Sequence, residues 1–522
     1  VPWPTPDARR VAGAGLILSA LVLLGGCALP SQEGWPSSHA PAPSETAATV
    51  LGQAVEAGVR ANPGKTGIHA LAHPQEAFAA RALLARAAEK TLDVQYYIWR
   101  KDVTGLLLLE ELRAAAERGV RVRLLLDDNG IAGLDPELAA LDAHPKIEVR
   151  LFNPFSFRPF KPIGYLTHFP RANRRMHNKS FTADNQASVL GGRNVGDEYF
   201  GATEGVLFAD LDVMALGPAV QAVSRSFDAY WASASAYPLA ALVPPAGPGQ
   251  LGELAARAAA VQRSPQAAAY MEAVRQLDAV QRMLRGELPL EWAPAHLVSD
   301  DPSKGQGRAA REDLLIHGMA QAVGVPGRAV DLVSPYFVPT RAGADYFAGL
   351  ARRGIAVRIL TNSLAATDVA AVHAGYAKYR RDLLQAGVRL YELKSSSFEA
   401  QKDWGAGAFG SSGSSLHAKT FAVDGARIFV GSFNFDPRSA QLNTELGLVI
   451  DSPALAAQLH AMFGDRIPAS AYEVRIDAAS GALFWLETVD GKPVRHDAEP
   501  GTGLLRRVAL AILSVLPIEW LL

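Results

Sequence analysis

A single cysteine among 522 residues excludes an internal disulfide, so the fold must be held by packing alone. Charge of either sign is also not in excess. The 51 basic and 52 acidic side chains nearly cancel, which removes the bulk positive field by which nucleic-acid binders gather phosphates. No apolar run reaches the 20 or so residues that a helix needs to cross a bilayer. No His/Cys/Asp/Glu set shows metal-ligand spacing either, so neither a metal nor another cofactor is expected. The length suffices for two domains with sizeable cores.

The one cysteine has an informative position. Arg9 and Arg10 precede an apolar run from Val11 to Leu24, followed by Gly25, Gly26 and Cys27. This is the layout of a signal-peptide core, and Leu-Gly-Gly-Cys resembles a bacterial lipoprotein processing site. The resemblance implies that residues 1–27 are a signal peptide and that Cys27 is acylated, anchoring the protein to a membrane on the periplasmic side. Residues 28–50, rich in Pro, Ser and Ala, read as a flexible tether.

Two stretches carry the chemistry. Met176 to Phe200 contains His177-x-Lys179, then Asp184-Asn185, then Gly191-Gly192-x-Asn194. Leu416 to Ser439 contains His417-x-Lys419, Asp424-Gly425 and Gly431-Ser432-x-Asn434. The same polar positions recur in the same order after about 240 residues, far beyond solenoid periods, so two similar domains are implied. The flanks repeat as well: GVRVRLLLDD is answered by GIAVRILTN, and IEVRLFN by VRLYEL. Strands alternating with helices predict an α/β fold, each half a mainly parallel sheet flanked by helices. Within each motif, two short alternating runs around a turn dipeptide predict a hairpin, with His and Lys on one face. Asp184 and Asp424 fall where those hairpins turn, a place that favours a structural role over a chemical one.

A pair of histidines suits phosphodiester cleavage, because one neutral imidazole can attack phosphorus while the other protonates the leaving oxygen. Lys179 and Lys419 supply positive charge, and Asn194, Asn434 and Ser432 are candidate donors to the phosphate oxygens. Each imidazole needs a carboxylate to fix its tautomer. The candidates are Asp210 downstream of His177 and Glu445 downstream of His417.

The paired H-x-K-x4-D and G-[SG]-x-N motifs resemble those of the phospholipase D superfamily. GGRNVGDEYF, SFNFDPRS and the terminal PIEWLL are most similar to its bacterial cardiolipin synthase C-type branch. The resemblance implies two phospholipase D-like domains, at 51–236 and 289–522, joined by a helical connection at 237–288 and sharing one active site at their interface. It makes His177, Lys179, Asp184, His417, Lys419 and Asp424 the signature catalytic set, His177 the nucleophile and His417 the acid. It also implies membrane phospholipids as partners, phosphatidylglycerol and phosphatidylethanolamine, with phosphatidyl transfer as the reaction. A monomer carrying both motifs can be active, and no nucleic acid is expected. Phospholipid hydrolysis is the neighbouring reading, and a nuclease the more distant one. The apolar tail after Arg506-Arg507 reads either as an interfacial helix or as a helix closing the second domain.

Overall fold

The computed structural model describes residues 29–522 apart from 33, 36, 204–205 and 396–412. The expected signal peptide and acylated Cys27 lie outside the described residues. The first half supplies strands β1 (Thr66–Leu71), β2 (Thr91–Ile98), β3 (Arg121–Gly130), β4 (Ile147–Phe152), β5 (Ser180–Ala183), β6 (Ala187–Gly191), β7 (Val206–Ala209), β8 (Asp212–Leu216) and β9 (Ala236–Pro238). The second supplies β10 (Glu291–Ala293), β11 (Ala295–Ser299), β12 (Ala329–Val333), β13 (Ala356–Asn362), β14 (Arg389–Leu393), β15 (Gly413–Leu416), β16 (Thr420–Val423), β17 (Arg427–Gly431), β18 (Leu446–Ile450), β19 (Ala471–Ile476), β20 (Leu483–Val489) and β21 (Lys492–His496).

Two large sheets form, in the orders β10-β1-β8-β6-β5-β2-β3-β4-β9 and β11-β18-β17-β16-β12-β13-β14-β19-β20-β21. From β1 and β11 onward the orders correspond strand for strand through β9 and β19, so the repeat legible in the sequence is a repeat of topology. The sheets are mixed where mainly parallel ones were expected. Within these two sheets, among the described residues, only β2-β3-β4 and β12-β13-β14 run parallel, because there the chain crosses over through helices such as Val103–Glu117 and Thr340–Arg352. β7 and β15 form a separate parallel pair between the halves. The motif hairpins and outer strands pair antiparallel.

Three apolar cores organise the molecule. One lies under the helices of the first half and another under those of the second. The third is shared: Ile68, Leu190 and Val213 of the first half pack with Val430, Leu448 and Ile450 of the second. Burial at about 25 cal/mol per Å² across this shared core binds the halves into one body.

Three expected boundaries move. The segment taken for a flexible tether is docked from Ser38 on, where Arg123 donates to the Ser38 carbonyl, Ala40 donates to Asp228, and Asn185 donates to the Pro41 carbonyl. Proline, serine and alanine are poor core formers, but their backbone groups satisfy buried polar side chains of the first sheet. The helical connection packs on the first half, placing Leu254, Tyr270 and Val274 in its core. Finally, Glu291–Ala293, assigned from sequence to the second domain, pairs with β1 of the first sheet, so the crossing falls at Pro294.

Candidate active site

Each motif builds its hairpin as the turn residues demand. Asp184-Asn185 and Asp424-Gly425 all have positive φ, between 50 and 63°, the signature of a tight two-residue turn. The aspartates then act on backbone. Asp184 accepts from the amides of Glu89, Lys90 and Thr91, and Asp424 accepts from those of Gly327, Arg328 and Ala329. Each thereby pins the start of the neighbouring strand, β2 or β12, to the hairpin turn, far from the cleft.

The hairpins place His177 and His417 in one cleft of about 760 Å³, together with Asn194 and Asn434. The backbone crosses between the halves at both histidines. The His177 amide donates to the Thr444 carbonyl, and the His417 amide to that of Ala209. Thr444 and Ala209 immediately precede the two candidate carboxylates, so the carboxylates are exchanged. His177 Nδ1 lies 2.8 Å from Glu445 Oε2, and His417 Nδ1 lies 2.5 Å from Asp210 Oδ2. The sequence expectation paired each histidine with the acid downstream of it. The structure reverses this, because the backbone bonds of His177 to Thr444 and of His417 to Ala209 bring the acid that follows each carbonyl to the histidine of the opposite half.

Ser432 is the second correction. Its hydroxyl donates to Glu445 Oε2 at 2.5 Å and accepts from the Leu446 amide, so it serves the carboxylate rather than facing a phosphate. This explains the departure between motifs. At the matching position, a Cβ on Gly192 would fall 2.1 Å from Asp210 Oδ1, so only glycine leaves room for the shorter acid.

Several supporting residues were missed or underused in the sequence reading. Asp127, within β3, and Asn362, at the end of β13, occupy matching places in the repeat. Asp127 accepts from the amide of Met176, and Asn362 both accepts from the amide and donates to the carbonyl of Leu416. Each thus clamps the residue just before a cleft histidine. The repeat GVRVRLLLDD/GIAVRILTN was the available signal, but nothing in it announces chemistry. Glu445 is held further by Ser439, which donates to Oε1, and by Asp300, which accepts from its amide while bonding Lys304 at 2.8 Å. On the other side Arg193 donates to the carbonyl of Asp210.

Burial shapes the electrostatics. Removal from water, reinforced by the Lys179 and Lys419 ammonium groups, holds the His177 pKa well below that of a free imidazole. Burial and Lys419 together bring that of His417 to about 4. Burial raises Glu445 to about 7, whereas Asp210, despite burial, is held down by His417 and Lys419. Both lysines are buried and donate to the carbonyl of their own motif histidine. With Nδ1–H directed at a carboxylate, each imidazole leaves Nε2 as its free nitrogen. At pH 7 both rings are therefore neutral in the free enzyme. An anion arriving between them raises their pKa values, so binding takes up protons. Calorimetry with sulfate, an anion that does not itself titrate at about pH 6.5, in buffers of different ionisation enthalpy, should register net proton uptake. A heat independent of buffer would contradict this.

Among the described residues one further group, His373, Glu392 and Glu499, has metal-ligand proximity. The Arg380 guanidinium stands within it, 2.6 Å from Glu499 and 3.3 Å from Glu392, and supplies the positive charge there.

Two matched His-Lys-Asn sets on duplicated mixed sheets, meeting in one cleft, define a phospholipase D-type phosphatidyltransferase. The chain belongs to the cardiolipin synthase family of phospholipase D-like proteins, whose domain model, "Cardiolipin synthase, PLD-like domain", matches residues 82–231 and 316–467. It is 48% identical over 461 residues to Cardiolipin synthase C of Escherichia coli (strain K12), covering 88% of this chain and 97% of that one. It is 25% identical over 395 residues to Cardiolipin synthase A of Pseudomonas syringae pv. syringae (strain B728a), covering 75% and 66%. The fold is shared with the crystal structure of phosphatidylserine synthase from Haemophilus influenzae Rd KW20, at a TM-score of 0.55 and 16% identity, over 90% of this chain and all of that one.

Proposed function

We propose that this enzyme makes cardiolipin by moving a phosphatidyl group to the glycerol hydroxyl of phosphatidylglycerol. The observation that carries the chemistry is the exchanged pair of His–carboxylate dyads facing one cleft. His177 Nε2 attacks phosphorus of the donor lipid, phosphatidylethanolamine or phosphatidylglycerol. The bond from phosphorus to the headgroup oxygen breaks, and that oxygen takes a proton from His417. His417 then removes the proton of the acceptor hydroxyl, which attacks the phosphohistidine and releases His177. The charge states favour these roles. Ionised Asp210 beside His417 supports an imidazolium, whereas burial and the two lysine ammonium groups keep His177 uncharged, its Nδ1–H on Glu445 leaving Nε2 to attack. Lys179, Lys419, Asn194 and Asn434 serve the non-bridging oxygens.

A lipid substrate also fits the rim of the cleft. Leu521 and Leu522 line it, next to Trp520, which is 57% exposed and packs edge-on against Phe169. Exposed Leu166, 86% accessible, and Leu505, 87% accessible, extend this apolar surface. The helix Leu504–Val515 buries only Leu510, so its outer face is left for a membrane surface. An acylated Cys27 on the periplasmic side supplies the anchor in this reading, and a monomer suffices. Among the described residues no helix is long and apolar enough to cross a membrane.

Vesicles containing phosphatidylglycerol and phosphatidylethanolamine, incubated with the enzyme and analysed by mass spectrometry, should yield cardiolipin, with ethanolamine or glycerol released according to the donor. Phosphatidic acid without cardiolipin would replace the acceptor hydroxyl by water and overturn the synthase assignment.

A further inference from the structure

Next to the cleft, the second half contains an apolar cavity of about 430 Å³. It lies between the helices Leu315–Val323 and Thr340–Arg352, over the face of the second sheet formed by β12 and β16. Met319, Val323, Leu332, Phe347, Phe421 and Phe435 line it. Protein interiors are packed to crystal density, so a void this large, ringed by aromatic side chains, loses many contacts unless something fills it. Exposed Ile316 and Tyr346 stand among the lining residues, so the cavity reaches the surface.

Its relation to the reacting groups is close. The helix Pro437–Gln441, inside SFNFDPRS, is the partition. Pro437, Ala440 and Gln441 face the cavity, while Arg438 and Ser439 face the cleft. Asp436, which caps this helix by accepting from the Ser439 amide, borders both spaces. A ligand with a phosphate at the histidines and a chain passing the Asp436 end of the partition would occupy both.

We propose that this cavity is the binding site for one acyl chain of the phospholipid whose phosphate reacts at His177 and His417. The inference rests on the phospholipid reading above. Size supports it: an apolar cavity of roughly 150 Å³ holds the six carbons of benzene, and on that scale this one holds roughly seventeen, the length of a common acyl chain. The lining supports it too, since a space bounded by apolar side chains apart from Thr340, Tyr346, Asp436 and Gln441 suits a hydrocarbon chain. Affinity gained by filling it should grow about fourfold per buried methylene until the cavity is full.

Two rim alanines on different helices, Ala320 and Ala342, test the assignment when replaced singly by tryptophan, because both line the cavity and are exposed. Binding of a palmitoyl probe, free palmitate, would be measured by calorimetry on the full chain. Turnover would be measured with dihexanoyl and dipalmitoyl phosphatidylglycerol in mixed micelles. In both variants palmitate binding is expected to fall at least tenfold, and kcat/KM for the dipalmitoyl lipid by a similar factor, with dihexanoyl turnover kept within twofold. Unchanged palmitate binding, or an unchanged ratio of long-chain to short-chain kcat/KM in both folded variants, overturns the site. Palmitate binding that the tryptophans abolish, in an enzyme that turns over neither lipid, supports the cavity while removing the phospholipid reading, so the two failures are separable.

Discussion

His177→Ala and His417→Ala are each expected to lower phosphatidyl transfer about a thousandfold or more, with no loss of fold. The two losses should differ in kind. A diester with an activated nitrophenyl leaving group departs without a proton. The His417→Ala variant should therefore still release nitrophenol and form the phosphohistidine, whereas His177→Ala should do neither. Quenching in alkaline denaturant, which spares the acid-labile phosphorus–nitrogen bond, followed by phosphopeptide analysis would detect the intermediate at His177. If His417→Ala fails with the activated substrate as completely as His177→Ala, the division into nucleophile and acid is wrong.

Exchange of the carboxylates sharpens this into a second test. Glu445→Gln and Asp210→Asn should each cost about 10²–10⁴ in rate, since each leaves an imidazole with the wrong tautomer or orientation. Glu445 serves His177, and Asp210 serves His417. Asp210→Asn should therefore follow the acid pattern and be relieved by the activated leaving group, and Glu445→Gln should follow the nucleophile pattern and not be relieved. Pairing within each half predicts the reverse. Gly192→Ala belongs with Asp210→Asn, because the added Cβ displaces that carboxylate. A Gly192→Ala enzyme resembling Glu445→Gln in its leaving-group dependence would break the assignment.

What could be read in advance depended on how local the determinant was. His-x-Lys on a strand and a turn dipeptide are local, and from them the two hairpins were legible. The recurrence of both sets gave the duplicated α/β architecture. Which acid meets which imidazole is not local. It depends on the Thr444 and Ala209 carbonyls receiving the histidine amides across the interface, and nothing in either half announces that. Ser432 misled for a related reason. Its place in the motif suits a phosphate donor, but a buried glutamate at the head of the adjacent strand is the stronger claimant to its hydroxyl. Asp127 and Asn362 were visible as a repeat without a reason, since a side chain that bonds one backbone amide leaves no compositional trace. The mixed sheets have the same origin: crossover helices signal parallel neighbours, while the long-range pairings of β1 with β8 and of β11 with β18 join segments far apart in sequence.

The exchange of carboxylates has a consequence in time. A ribosome delivers the chain from its N-terminus at about 5–20 residues per second. Once the first motif stretch has emerged to Phe200, 244 residues still separate it from Glu445. For roughly ten seconds or more the nascent chain carries a nucleophile without its orienting acid and a carboxylate without its histidine. Until the second half folds against the first, neither histidine–carboxylate contact of the cleft exists. Competence for chemistry thus waits on the strand that begins just after Glu445 and on the docking of the second half against the first.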